Sequence, residues 1–342
     1  MSTNMITNGL KSKSKKSVRT KLRAGLLMTS ELGVVVLILI LSIVTSLINK
    51  NFLTWRYISS ILTGSIFIGA AALGEAIVIM SGEIDLSVGM NGCLAGIMCG
   101  VAASEWGLGL VPCILICLLS GAIIGAVNSF LVCNLGLSAW ITTLATQFIC
   151  QGLAVTISQG YPIPIKLGTS AFTRAKPLGL SWLFFIFVGL IVILDIIIRR
   201  TPLGYKLRSV GGNKEASLMA GINVKKIKWI AFILAGMLAA TGGLFDVLHN
   251  ATASSAYGVG REFRAIISCA IGGISLGGGS GSILGVGLGV LLFHTLWYCL
   301  RILSIDTNLQ LVLIGFILLI AVLLDIQRKR LELNQNSLEG SV

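Results

Sequence analysis

Thr201-Pro202-Leu203-Gly204-Tyr205-Lys206-Leu207-Arg208-Ser209-Val210-Gly211-Gly212-Asn213-Lys214-Glu215-Ala216-Ser217-Leu218-Met219-Ala220-Gly221-Ile222-Asn223 is the stretch on which the architecture turns. It is basic, punctuated by Pro and Gly, and flanked by apolar runs near 178–198 and 229–249. Each run has the roughly 20 residues that an apolar helix needs to cross a bilayer. The polar stretch between them is therefore a loop on one face of a membrane. Pro202 and Gly204 predict a turn, and the paired glycines Gly211 and Gly212 a second. Asn213 is placed to cap a short helix from Lys214 to Ala220, closed by Gly221. A short exposed helix between two spans suits docking into a partner's groove. An ordinary solvated basic loop is the plain alternative.

The composition extends this reading to the whole chain. Its 342 residues are 55% hydrophobic and 11% charged, with 26 Lys+Arg against 13 Asp+Glu and a net charge of +13. A soluble domain carries about 25% charged residues, so this chain lacks the polar groups to cover a soluble surface. Apolar stretches near 31–48, 57–80, 89–104, 108–132, 138–158, 178–198, 229–249, 263–276, 281–300 and 308–326 predict about ten spans. The third and eighth are short and bounded by glycine, as half-helices or re-entrant segments would be. The expected fold is an all-α polytopic membrane bundle with short or broken helices near 81–104 and 263–285. The expected divisions are a basic tail over 1–30, a transmembrane domain over 31–326 containing the loop 199–228, and a tail over 327–342.

Charge predicts orientation. Seven basic residues (Lys11, Lys13, Lys15, Lys16, Arg19, Lys21, Arg23) precede the first span. Eight lie in 199–228 and three (Arg328, Lys329, Arg330) follow the last. With ten spans all three clusters share one side, which the positive-inside rule makes cytoplasmic. Both termini are then expected in the cytoplasm. Trp55, Tyr57, Trp106, Tyr161 and Trp182 fall near the opposite interface, where aromatic belts form. The basic start followed by an apolar run resembles a signal peptide, but Ser46-Leu47-Ile48-Asn49-Lys50 offers no small-x-small cleavage site. An uncleaved first span is expected. The charge is thus explained without nucleic acid as a partner.

Few residues could carry chemistry. The eight cysteines lie in or beside apolar segments without a C-x-x-C pair, and read as small buried hydrophobes. Neither H-E-x-x-H nor a complete phosphate-binding G-x-x-x-x-G-K-[ST] occurs. This chain is therefore expected not to be an enzyme and to hold no cofactor or metal. Polar residues at membrane depth are Glu75, Asn128, Gln147, Gln151, Asp246 and His249. Such residues usually face a cavity or a partner. Glu75 reads equally as a pathway residue or as a structural bond between helices. Glu83 and Asp85 stand in a Gly-bounded break, where Asp85 is expected to cap the next helix. That break, Gly82-Glu83-Ile84-Asp85-Leu86-Ser87-Val88-Gly89, aligns with Gly272-Gly273-Ile274-Ser275-Leu276-Gly277-Gly278-Gly279. Corresponding breaks in two halves point to a translocation pathway; two unrelated Gly-rich turns are the alternative.

These residues together resemble the permease subunit of ATP-binding-cassette (ABC) importers of the ribose/xylose/galactose type, from about Trp55 to Leu324. Gly82 to Gly89 looks like that family's G-x-I-D-L-S-V-G signature. Val210-Gly211-Gly212-Asn213 through Gly221-Ile222-Asn223-Val224 looks like its G-G-N loop. Ile271 to Ser282 looks like its G-G-x-S-L-x-G-G-x-G-S run. The resemblance implies a coupling helix, with Gly211, Gly212, Asn213, Glu215, Ala216, Gly221 and Ile222 at the ATPase contact. It implies an ATPase subunit that binds ATP and Mg, a second permease copy or paralogue, and an extracytoplasmic solute-binding protein. It implies a bacterial plasma (inner) membrane location and alternating access. Glu75, Glu83, Asp85, Asn128, Asp246, Glu262 and Arg264 are the pathway candidates. Two places depart from the pattern: Leu137-Ser138-Ala139-Trp140 lacks the usual prolines, and Arg264 replaces an acid. A non-sugar ABC permease, or an ion-coupled transporter using Glu75, Asp246 and His249, are the competing readings.

Overall fold

The computed structural model describes residues 30–165, 167 and 177–339. The basic N-terminal residues Lys11 to Arg23 and the last three residues lie outside them. The helices are α1 (Ser30–Ile48), α2 (Trp55–Met80), α3 (Val88–Ser104), α4 (Leu110–Cys133), α5 (Ala139–Ser158) and α6 (Trp182–Arg200). They continue as α7 (Pro202–Gly212), α8 (Lys214–Met219), α9 (Val224–Asn250), α10 (Arg261–Ile271), α11 (Ile283–Ile302) and α12 (Thr307–Glu339). Two-residue strands β1 (Ile163–Pro164) and β2 (Thr252–Ala253) pair antiparallel.

Seven of these helices are long and apolar enough to cross a membrane, and Val88–Ser104 and Thr307–Leu323 are shorter apolar helices. The eighth expected stretch holds only the 11-residue α10. The all-α membrane bundle with two short helices is borne out. The eighth stretch differs in its bounds, because Gly272 ends the helix and residues 273–276 leave it.

The bundle is inverted relative to a soluble protein. On α4, Leu115, Leu119 and Ile123 are exposed, while Cys113, Cys117, Gly121, Gly125 and Asn128 are buried. Lipid tails are as apolar as leucine, so small residues face inward where close approach brings packing contacts. Helix α9 is the axis of this packing against α2, α3 and α4. A Cβ on Gly121 would overlap the Gly236 carbonyl of α9, and one on Gly236 the Gly121 carbonyl. A Cβ on Gly243 of α9 would overlap the Gly92 carbonyl of α3, and one on Gly92 the Ala239 carbonyl of α9. The cysteines are free thiols and all but Cys133 are buried.

The breaks after α2 and α10 have one local cause. The Gly82 amide donates to the Ile79 carbonyl at 2.9 Å, and the Glu83 amide to Val78 at 3.2 Å. After α10, Gly273 donates to Ala270 at 3.1 Å and Ile274 to Cys269 at 3.0 Å. This is the Schellman ending, which needs a left-handed residue; Gly82 has φ +84° and Gly273 φ +87°. The conformational partner of Gly82 is therefore Gly273, one residue beyond the Gly272 that sequence identity aligned with it.

Candidate functional site

The coupling segment differs from its expected form. Pro202 does not make a turn: it opens α7 as its first-turn proline, and Gly204 lies buried within that helix. Proline suits this position because its missing N–H would have no helical partner and its φ is preset. The glycine pair ends α7. Asn213 then caps α8 as expected, its Oδ1 accepting the Ala216 amide at 2.9 Å. Gly221, at φ +76°, closes α8 with the Gly221–Leu218 and Ile222–Ser217 bonds. Asn223 caps α9 through the Lys226 amide at 2.9 Å.

The seven coupling candidates fall into two sets. Gly212, Asn213, Glu215, Ala216 and Gly221 are exposed. Gly211 and Ile222 are partly buried against the bundle. Two apolar residues that the sequence reading did not select stand out on this face: Met219 is 91% exposed and Leu218 53%.

Gly211 belongs to a junction of all three sequence motifs. A Cβ there would overlap the Met80 carbonyl at the end of α2 and lie 2.7 Å from the Gly279 nitrogen. Gly279 donates its amide to Met80 at 3.1 Å. A Cβ on Gly278 would lie 2.8 Å from the Gly211 carbonyl oxygen and 2.9 Å from the Gly82 Cα. The loop and both helix breaks thus meet backbone to backbone, at distances that only glycine admits. Beside them, Glu83 forms an ion pair with Lys228 at the start of α9.

Glu75, Asp85 and Asn128 come together in one buried polar network. The Asp85 amide donates to Glu75 Oε1 at 3.2 Å. Asp85 Oδ1 accepts the Ser87 amide at 2.8 Å and the Ser87 hydroxyl at 2.5 Å. Asn128 Nδ2 donates to Ser87 Oγ at 2.9 Å, and Thr146 Oγ1 to Asn128 Oδ1 at 2.7 Å. Thr143 Oγ1 accepts the Leu86 amide at 3.0 Å. Asp85 therefore shapes the turn into α3 by binding Ser87, the residue at the cap position, and does not reach the first helical amides as the capping expectation had it. Sequence reading missed Ser87, Thr143 and Thr146. The signal for the last two was the i, i+3 threonine spacing, which puts both on one face of α5. Glu75 Oε2 and Asp85 Oδ2 have no hydrogen-bond partner among the described residues.

Asp246, Glu262 and Arg264 form a second group. After β2 the chain turns back into the bundle, where a Cβ on Gly258 would touch Cys93 of α3. Irregular backbone at such depth is tolerated when protein covers it. Arg261 Nη2 donates to Asp246 Oδ2 at 2.5 Å and to the Tyr257 carbonyl at 2.7 Å. Asp246 and Arg261 are both buried, so the pair neutralises two charges that would be costly alone. Gln147 Nε2 donates to Glu262 Oε1 at 2.8 Å. Arg264 donates to the Gly260 and Val259 carbonyls and lies 5.4 Å from the Trp297 ring centre. Its positive charge is absorbed by the turn before α10 and by an aromatic face. A Cβ on Gly89 would lie 2.6 Å from Glu262 Oε2, so the two groups adjoin across the first turn of α3. Among the described residues no group of three or more His, Cys, Asp or Glu could hold a metal ion.

Residues 57–322 match the family model described as branched-chain amino acid transport system / permease component. The ribose import permease protein RbsC of Bacillus subtilis (strain 168) is 36% identical over 303 residues, covering 86% of this chain and 92% of the relative. The L-arabinose ABC transporter permease protein AraH of Azospirillum brasilense is 32% identical, covering 87% and 88%. The ribose import permease protein RbsC of Haemophilus influenzae is 30% identical, covering 91% and 97%. No solved structure matches. The matched span runs through all three glycine motifs and both buried polar groups, and the chain therefore belongs to this family of ABC transport permeases.

Proposed function

We propose that this chain is the transmembrane permease subunit of a bacterial plasma-membrane ABC importer for a monosaccharide-like solute. A separate ATPase subunit binds and hydrolyses ATP with Mg. A second permease copy or paralogue completes the membrane part, and an extracytoplasmic binding protein delivers the solute. The face bearing α8 is cytoplasmic. Relatives named for ribose and arabinose import support the sugar class.

The observation that carries the reading is the contact of Gly211 with Met80 and Gly279. An ATPase that grips exposed α8 moves α7 with it, because only Asn213 separates the two helices. At Gly211 that motion meets the ends of α2 and the α10–α11 break with no side chain between to absorb it. The same displacement therefore reaches both halves of the bundle. The proton-relay reading gains nothing from the geometry, since Asp246 is committed to Arg261.

The test reconstitutes the full chain with its ATPase and binding protein in proteoliposomes. ATP-driven uptake of D-ribose or L-arabinose is expected. Asn213→Trp and Glu215→Trp are expected to abolish uptake while membrane insertion and monodispersity stay intact. Normal transport by both variants, or transport by this chain alone driven by a pH gradient, would overturn the assignment.

A further inference from the structure

The half of the bundle far from the glycine junction holds a cavity of about 270 Å³. Ser59, Ser60, Thr63 and Phe67 of α2 line it, with Ser181 before α6 and His249 near the end of α9. Met80, at the other end of α2, touches Gly211. A helical rise of about 1.5 Å per residue puts Ser59 to Phe67 about 20–32 Å from that contact. The cavity therefore lies in the half of the bundle opposite α8.

Its wall has a consistent chemistry. The Ser59 and Ser60 hydroxyls donate to the Arg56 carbonyl at 3.0 and 2.8 Å, which leaves their oxygens as acceptors. Thr63 adds a third hydroxyl one turn along the same face. The Phe67 ring, 5.2 Å from the His249 ring and edge-on to it, supplies an apolar surface. Among the described residues that line it there is no Lys, Arg, Asp or Glu. A small-molecule site combines an apolar surface with a few placed polar groups, and that is the arrangement here. At about 30 Å³ per water, the space equals about nine waters, enough for one small polyol. A zwitterion or a phosphate ester would enter without a fixed countercharge, a cost that a neutral polyol does not carry.

We propose that this cavity is a binding site for a neutral polyhydroxyl solute of monosaccharide size, a station on its route through the chain. The proposal rests on the importer reading for its direction of travel, while the site itself is testable without transport. The probe is a diazirine-bearing D-ribose, photolysed with the purified full chain in lipid nanodiscs and mapped by mass spectrometry. Label is expected on peptides containing Ser59 to Phe67 or His249, displaced by excess D-ribose and not by L-leucine. Thr63→Leu, which fills the space, should cut labelling at least fivefold. The near-isosteric Thr63→Val should cut it about threefold, and Thr63→Ser should retain it. Label confined to other peptides, displacement by L-leucine, or equal labelling of Thr63→Leu and Thr63→Val would overturn the site. Uptake by the assembled importer separates the two ideas. If wild type and Thr63→Leu transport D-ribose with equal KM, the cavity is wrong and the importer reading stands. If wild type transports only L-leucine, the sugar reading fails, whatever the labelling map shows.

Discussion

The break after α2 and the break after α10 begin alike and then diverge. Each opens with a Schellman turn around a left-handed glycine. Beyond Gly82 the chain is held by side chains: Asp85 binds Ser87, Ser87 receives Asn128, and Thr143 takes the Leu86 amide. Beyond Gly273 backbone bonds lead: Ser275 donates to the Ser280 carbonyl, Gly278 to Ser275 and Gly279 to Met80, and at the far end the Ser282 hydroxyl donates to Glu31 and accepts from Arg199. The second break is also longer, running to the Ser282 cap of α11. One break is clamped by a buried network, and the other is held by a few backbone bonds and, at its far end, by the exposed side chains of Arg199 and Glu31. We read the first as the anchor of the bundle and the second as its hinge.

Three substitutions would break or sharpen that contrast. The largest effect is expected for Asp85→Ala. It removes two hydrogen bonds to one carboxyl group, each of about 1.5–3 kcal/mol where that group is ionised, and leaves Ser87 without its acceptor. A loss of about 3 kcal/mol or more should appear as a lower thermal midpoint in detergent, read by tryptophan fluorescence. A midpoint at the wild-type value would show that the network does not anchor the break. Next comes Gly211→Ala. Its Cβ would overlap the Met80 carbonyl, so the junction must open. Uptake in the reconstituted importer should fall at least tenfold while ATP hydrolysis by the assembled complex persists; uptake near wild type would show that the glycine contact carries no motion. The smallest is Asn213→Ala, which deletes the α8 cap at about 1 kcal/mol. Hydrogen exchange should accelerate in 214–221 and leave α9 unchanged. Acceleration that spreads into α2 would mean that the loop and the bundle are one unit rather than linked parts.

Much of this is legible in the sequence. Asn213 and Gly221 were readable as cap and closure of α8, because both signals are local: a short polar side chain before a helix and a residue free of a Cβ after it. The turn expected at Pro202 and Gly204 was not right. Proline at a first helical position and proline in a turn share the same φ, and the following residues decide between them. The wider network around Asp85 was beyond reach, since Asn128, Thr143 and Thr146 lie on other helices. The charge of Arg264, read from sequence as a departure from the family pattern, is spent on two local carbonyls and on Trp297, a partner from α11.

The sequence by itself determined the membrane class, the positions of the apolar helices and the sites of the glycine breaks. Those follow from local composition and from backbone conformations that one residue type dominates. Only the tertiary structure decided that the three glycine motifs touch, that Glu75, Asp85 and Asn128 are one network, and that Asp246 answers Arg261. Spacing along a chain says which face a residue takes on its own helix. Which helix that face meets depends on packing among all of them, and here glycine and alanine set how near the backbones come.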